Sequence, residues 1–279
     1  MGSLTVLALF LSYSMLGVCD LSTDGCFTFG AAVGAVVALA GHPWLSIPAA
    51  MAAGMLSGFV TALLQTRMGV DSLLAGIVVN TGLYSINIAI MGGASLLNMN
   101  KTETVFTAVK ALLAVLLALV FLTLFLRTRL GLAIRATGDN IDMLRASSVN
   151  PAFTTLVGLC ASNALTGLSG CLLAQAQKSV NIDIGSGMVT IALASLLMGR
   201  AFAPNGGIPR RASGAVLGAV VFRLVYALAL RLNMPAFMLK LVSSVIVIFA
   251  IAGPYMKARY PELHRRLSHK YGKGGGARA

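Results

Sequence analysis

The residues best suited to chemistry in this sequence are Gly76, Asn80, Tyr84 and Asn87, spaced by four, four and three positions inside an otherwise apolar run. That spacing puts them on one narrow stripe of a helix. An asparagine amide donates to a carboxylate and accepts from an ammonium, and a tyrosine ring offers a stacking face. The stripe therefore suits non-covalent binding of an amino-acid-like solute. Two amides are costly to leave against lipid, so the stripe faces protein or an aqueous path. Interhelical hydrogen bonding and pathway lining both satisfy that demand.

Asp20 and Asp24 flank a polar break, Cys19-Asp-Leu-Ser-Thr-Asp-Gly-Cys26. An ionisable residue at membrane depth is a functional candidate, here for solute contact or for a coupling ion; capping of Gly25 and of a helix starting at Phe27 is the structural alternative. Ser162, Thr166 and Ser169, beside Asn163, Gly167 and Gly170, have the small-residue spacing of close helix packing. Arg223, deep in an apolar run, calls for an acid or a carbonyl partner. Nothing here makes or breaks bonds, because no histidine falls near a candidate serine nucleophile. Cys19, Cys26, Cys160 and Cys171 form no CxxC pair, His264 and His269 are five apart, and His42 stands alone before Pro43. No metal, cofactor or disulfide framework is expected from these.

Membrane helices must position these residues. Of the 279 residues 57% are hydrophobic and only 10% charged, too little polar surface to coat a soluble globule. Runs such as 111–126 and 241–252 are apolar all round, which excludes the alternation of a membrane β-barrel. With about 20 residues needed per crossing, spans are expected near 45–65, 72–92, 105–126, 152–175, 186–200, 211–231 and 239–253. Residues 4–18 and 27–40 are short for a crossing, and are either two short spans or two halves of one broken element. The fold class is thus all-α, a polytopic helical membrane protein of about 8 to 9 transmembrane helices with a short cytoplasmic helix.

Charge sets the orientation. The 21 Lys and Arg against 8 Asp and Glu leave +13, much of it in a tail holding Lys257, Arg259, Arg265, Arg266, Lys270, Lys273 and Arg278. A second basic stretch holds Arg127, Arg129, Arg135 and Arg145. The positive-inside rule makes both cytoplasmic, with no role for nucleic acid. Nine spans then place the N-terminus outside; residues 1–14 lack the basic start of a secretory signal. Residues 1–256 are read as one membrane domain and 257–279 as a basic cytoplasmic tail, disordered at its Gly-rich end.

The loop at 127–151 is too polar to span and too patterned for a connector. Gly138 permits a turn, Asp139 is placed to N-cap the backbone amides after it, and Asp142 puts negative charge in the first turn of a short helix at about 140–147. Ile141, Met143 and Leu144 lie toward one side, with Arg135 and Arg145 nearby, a surface able to dock in a partner's groove. An ordinary basic cytoplasmic loop is the plainer reading.

This loop resembles the coupling-helix loop of permease subunits in binding-protein-dependent ABC importers of the branched-chain amino acid and sugar class. Asp20-Leu-Ser-Thr-Asp-Gly25 is similar to that family's Asp-Leu-Thr/Ser-Val-Asp-Gly motif. Leu83-Tyr-Ser-Ile-Asn87, Ser162-Asn-Ala-Leu-Thr-Gly-Leu-Ser-Gly170 and Ala192-Leu-Ala-Ser195 are similar to further family segments, in order along nearly the whole chain. The subgroup most resembled is that of tryptophan/tyrosine transport permeases. Three departures stand out: Ser148 replaces a frequent Gly, Arg200 stands where relatives commonly carry Glu, and the chain starts several residues inside the expected first helix.

The resemblance implies a non-enzymatic subunit in the inner membrane of a prokaryote, a homodimer fed by an extracytoplasmic substrate-binding protein. Two ATP-binding cassette subunits would dock at the loop, through Arg135, Gly138, Asp139, Asn140, Asp142, Met143, Leu144 and Arg145. Asn80, Tyr84, Asn87, Asp20 and Asp24 remain the candidates for the substrate pathway. An ion-coupled secondary transporter using Asp20 and Asp24 is the competing expectation.

Overall fold

A computed structural model describes residues 2–99, 108–147, 149–202 and 207–231, together with 241, 244, 245 and 248. The expected tail at 257–279 and nearly all of the span at 239–253 lie outside the described residues. The chain divides into two compact units, Met1–Arg223 and Leu224–Ala279. All of the architecture below, the last turns of the final helix apart, belongs to the first.

Ten helices and two three-residue strands are described. Helix α1 (Gly2–Leu9) continues as a π-helical stretch, Phe10–Met15, and α2 (Thr23–Leu39), α3 (Ser46–Thr66) and α4 (Ser72–Ile90) come next. Strand β1 (Leu96–Asn98) leads to α5 (Ala108–Phe125), α6 (Arg129–Asp139), α7 (Ile141–Ala146) and α8 (Pro151–Gln177). Strand β2 (Ser179–Asn181) precedes α9 (Met188–Phe202) and α10 (Ile208–Arg231). Side chains punctuate these elements as expected for orphan backbone amides. Asp71 accepts from the Leu73 amide to open α4, and Asn150 accepts from the Ala152 amide with Pro151 in the first turn of α8. Lys178, at φ 53°, ends α8 in the left-handed conformation.

The 27-residue α8 is the axis of the first unit. Helices α2 and α3 cross it at Gly30, Gly54 and Gly167, where no Cβ would fit between the backbones. The hydroxyls of the small-residue face serve the same packing. Ser162 donates to the Ala8 carbonyl at 2.8 Å, Thr5 donates to Ser169 at 2.9 Å, and Thr166 donates back to the Ser162 carbonyl. Leu4, Leu7, Phe10, Leu11, Leu122, Ile134 and Leu159 fill the main apolar core around that contact.

The polar break separates two helices of opposite direction. Along α8, Thr5 and Ala8 meet Ser169 and Ser162 while Leu16 approaches Gly158, so α1 runs antiparallel to it. Cys26, Gly30 and Gly34 meet Asn163, Gly167 and Cys171 in rising order, so α2 runs parallel. The chain descends in α1, turns at 16–22 and ascends in α2. Among the described residues four helices, α3, α4, α8 and α10, are long and apolar enough to cross a membrane by themselves, or five if the bent pair α5 and α6 makes one span. Three apolar helices are shorter, Gly2–Met15, Thr23–Leu39 and Met188–Arg200, and α5 meets α6 at an 80° bend. Hydropathy and periodicity did not foretell β1 and β2, which pair antiparallel with Leu97 opposite Val180, above a small core of Ala31, Ala35, Met91 and Ile182.

Candidate functional site

The stripe on α4 faces α2 as its period requires. Gly76 meets the backbone of Leu21 and Ser22 without room for a Cβ to spare. Asn87, 1% exposed, donates its Nδ2 to the Gly25 carbonyl at 3.3 Å, and its Oδ1 is buried with no hydrogen-bond donor. Tyr84 is 51% exposed. Together these side chains border a cleft of about 330 Å³, lined by Asp24 of α2, by Asn80, Tyr84 and Asn87 of α4, and by Asp183 and Ser186 after β2. Four of the five sequence candidates for a pathway therefore converge on one cavity.

Asp24 has a definite structural task there. Its Oδ2 accepts from the Gly187 amide at 3.0 Å and its Oδ1 from the Val189 amide at 2.8 Å, so a side chain of α2 caps the first turn of α9. Thr28, one turn on, accepts from the Gly185 amide at 3.2 Å. The capping anticipated within the first 27 residues is thus directed across space to another helix. Among the described residues its lining holds two carboxylates and no lysine, arginine or histidine, which gives the cleft a negative potential.

The fifth candidate is elsewhere. Asp20 is fully buried, accepting from the Ser22 amide at 2.8 Å and from Asn163 Nδ2 at 2.8 Å, and it has no share in the cleft. Sequence reading missed Asp183 and Ser186. The run Asn181-Ile-Asp-Ile-Gly-Ser-Gly187 was the available signal, an acid within a turn-rich loop.

At the opposite end of α8, the 127–151 segment holds two helices, where a single short one was expected. Helix α6 buries Gly131, Ile134 and Thr137, with Arg135 half-buried and Leu130 and Leu132 exposed. Gly138 does not make the turn. It lies inside α6, pressed so closely against the Met15 carbonyl that a Cβ has no space, and Asp139 is the last residue of the helix. The reversal comes at Asn140, whose backbone is extended and whose side chain accepts from the Asp142 amide at 3.0 Å. Asn140 therefore supplies the cap assigned from sequence to Asp139. On α7, Leu144 is buried, and exposed Asp142 and Arg145 form an ion pair at 3.6 Å. Met143 is on the same helix, its side chain outside the described part.

Residues 2–251 match the model of a family described as the permease component of branched-chain amino acid transport systems. The chain belongs to that family. Over 256 residues, 90% of this permease and 86% of the relative, it is 29% identical to a tyrosine transport system permease protein of Clostridioides difficile. It is 26% identical over 257 residues to an uncharacterized protein of Rickettsia prowazekii, covering 88% and 91% of the two chains. A nucleoside ABC transporter permease protein of Lactococcus lactis is 24% identical over 242 residues, 76% of this chain and 74% of the relative. No solved structure matches. The permease is a multi-pass membrane component of an ABC transport system.

Proposed function

We propose that this permease carries an amino-acid-like small solute, an aromatic or branched-chain amino acid, by alternating access between outward- and inward-open states. The cleft between α2, α4 and the loop after β2 is the observation that carries this reading. Asp24 and Asp183 attract an ammonium, the amides of Asn80 and Asn87 serve a carboxylate or a donor, and Tyr84 offers its ring for stacking. The name of the clostridial relative favours the aromatic choice.

Coupling runs through α6 and α7, by way of Arg135, Gly138, Asp139, Asn140, Asp142, Met143, Leu144 and Arg145. Closure of two ATP-binding subunits pulls on this corner, and the seat of Gly138 on the end of the π-helical stretch at Met15 passes the displacement to the break at 16–22. A binding protein delivers solute from outside to a dimer of this chain in the inner membrane of a prokaryote.

The test is ATP-driven uptake in proteoliposomes holding the permease, its ATP-binding partner and its binding protein. Labelled tyrosine and leucine are the probes. Uptake that needs ATP hydrolysis, survives an ionophore and falls in Tyr84→Ala and Asn87→Leu supports the reading. Unchanged uptake in both variants, with protein levels matched, overturns the pathway assignment.

A further inference from the structure

Four arginines collect at helix ends on one side of the first unit: Arg135 in α6, Arg200 in the last turn of α9, and Arg210 and Arg211 in the first turn of α10. Contacts of their neighbours bring three of them to a common point. Gly138, one turn after Arg135, presses on the Met15 carbonyl. Arg211 donates from Nη2 to the hydroxyl of Ser14, the residue before Met15, at 3.0 Å. Gly199, next to Arg200, packs on the backbone of Gly214 and Ala215, one turn after Arg211. Arg200 and Arg135 accordingly lie within electrostatic reach of Arg211.

The chain does not neutralise this cluster. Asp139 is in reach of Arg211, but among the described residues none of the four arginines forms an ion pair. Arg211 and Arg135 are half-buried, and like charges held together with part of their hydration removed repel one another. An anion seated among them removes that cost. Ser14 takes one of the five N–H donors of Arg211, and guanidinium forks from three helices suit the oxygens of a phosphate.

The depth of the cluster selects the source of that phosphate. The arginines stand where the apolar lengths of α9 and α10 end, the level at which hydrocarbon gives way to headgroups. Leu217, seven residues after Arg210 and on the same face of α10, is 57% exposed, and Val220 is 47% exposed. An outward apolar surface thus adjoins the charges on the same helix. We propose that Arg135, Arg200 and Arg211 bind the phosphodiester of an anionic phospholipid, with an acyl chain along Leu217 and Val220. The bound lipid ties the ends of α6, α9 and α10 together. It binds whichever solute is carried and whether or not α6 meets an ATP-binding subunit.

Native mass spectrometry of the full chain in detergent micelles tests this, with phosphatidylglycerol and phosphatidylcholine as the probes. The expected result is a phosphatidylglycerol retained at collision energies that strip phosphatidylcholine, with an apparent Kd raised roughly tenfold in Arg200→Gln. Arg200 is exposed, so that variant tests the site without disturbing the packing of α9. Arg211→Lys keeps the charge, loses the fork and should also weaken retention. Arg67→Gln removes an exposed arginine outside the cluster, at the end of α3, and should change nothing. Equal retention of the two lipids overturns the site, as does an equal loss in Arg67→Gln, which marks general attraction to a basic face. Displacement of phosphatidylglycerol by millimolar inorganic phosphate overturns the lipid assignment in favour of free phosphate.

Discussion

Asn87 commits its amide nitrogen to the Gly25 carbonyl and leaves its oxygen buried beside the cleft without a donor. A buried acceptor left unmade costs about 1–3 kcal/mol, which a solute's ammonium or hydroxyl restores on binding. Asn87→Leu removes that acceptor, and uptake at subsaturating solute should fall roughly tenfold. Transport assays against matched membrane levels check this. Asp24 predicts a different outcome, because both its oxygens hold backbone amides of the α9 start. Asp24→Ala should lower Tm and open the loop at 182–189 to protease, with a loss on the order of 1.5–3 kcal/mol for each charge-assisted bond. The stripe on α4 was legible because a 3.6-residue period is written locally. The partners of Asp24 were not, being some 160 residues away in the chain.

Among the elements, α6 and α7 form the corner on which coupling is proposed to depend. Six residues make α7 too short to persist alone, so the Asn140 cap and the buried Leu144 hold it. Its place in turn depends on Gly138, which lets α6 lie against the end of the π-helical stretch at Met15. Gly138→Trp should displace α6, leave membrane insertion intact and abolish stimulation of the partner ATPase, measured in nanodiscs. At the crossing of α2 and α8, Gly167→Leu should act more severely. No Cβ fits there, so helix packing itself fails and the chain should be lost from the membrane fraction, read by immunoblot.

For the whole molecule, the prediction concerns assembly. Asp139 ends α6 at an exposed position beside the reversal to α7. Asp139→Arg adds charge to a basic face and should abolish co-purification with the ATP-binding subunit while the permease remains folded. Retained complex and full ATPase stimulation would sink the docking assignment. Composition and periodicity alone determined that this is a helical membrane protein, that Asn80, Tyr84 and Asn87 share a face, and that 127–151 is a polar, patterned segment. Those properties are local, written in which residues repeat along a single helix. Tertiary structure decided that the break at 16–22 reverses the chain between α1 and α2, that Asp24 caps α9 and not its own helix, and that Gly138 is a contact surface and not a turn. It also paired β1 with β2 and buried Asp20 apart from the cleft. Each of these depends on which backbone comes close enough to exclude a Cβ or donate an amide, and close packing sets that across the whole molecule.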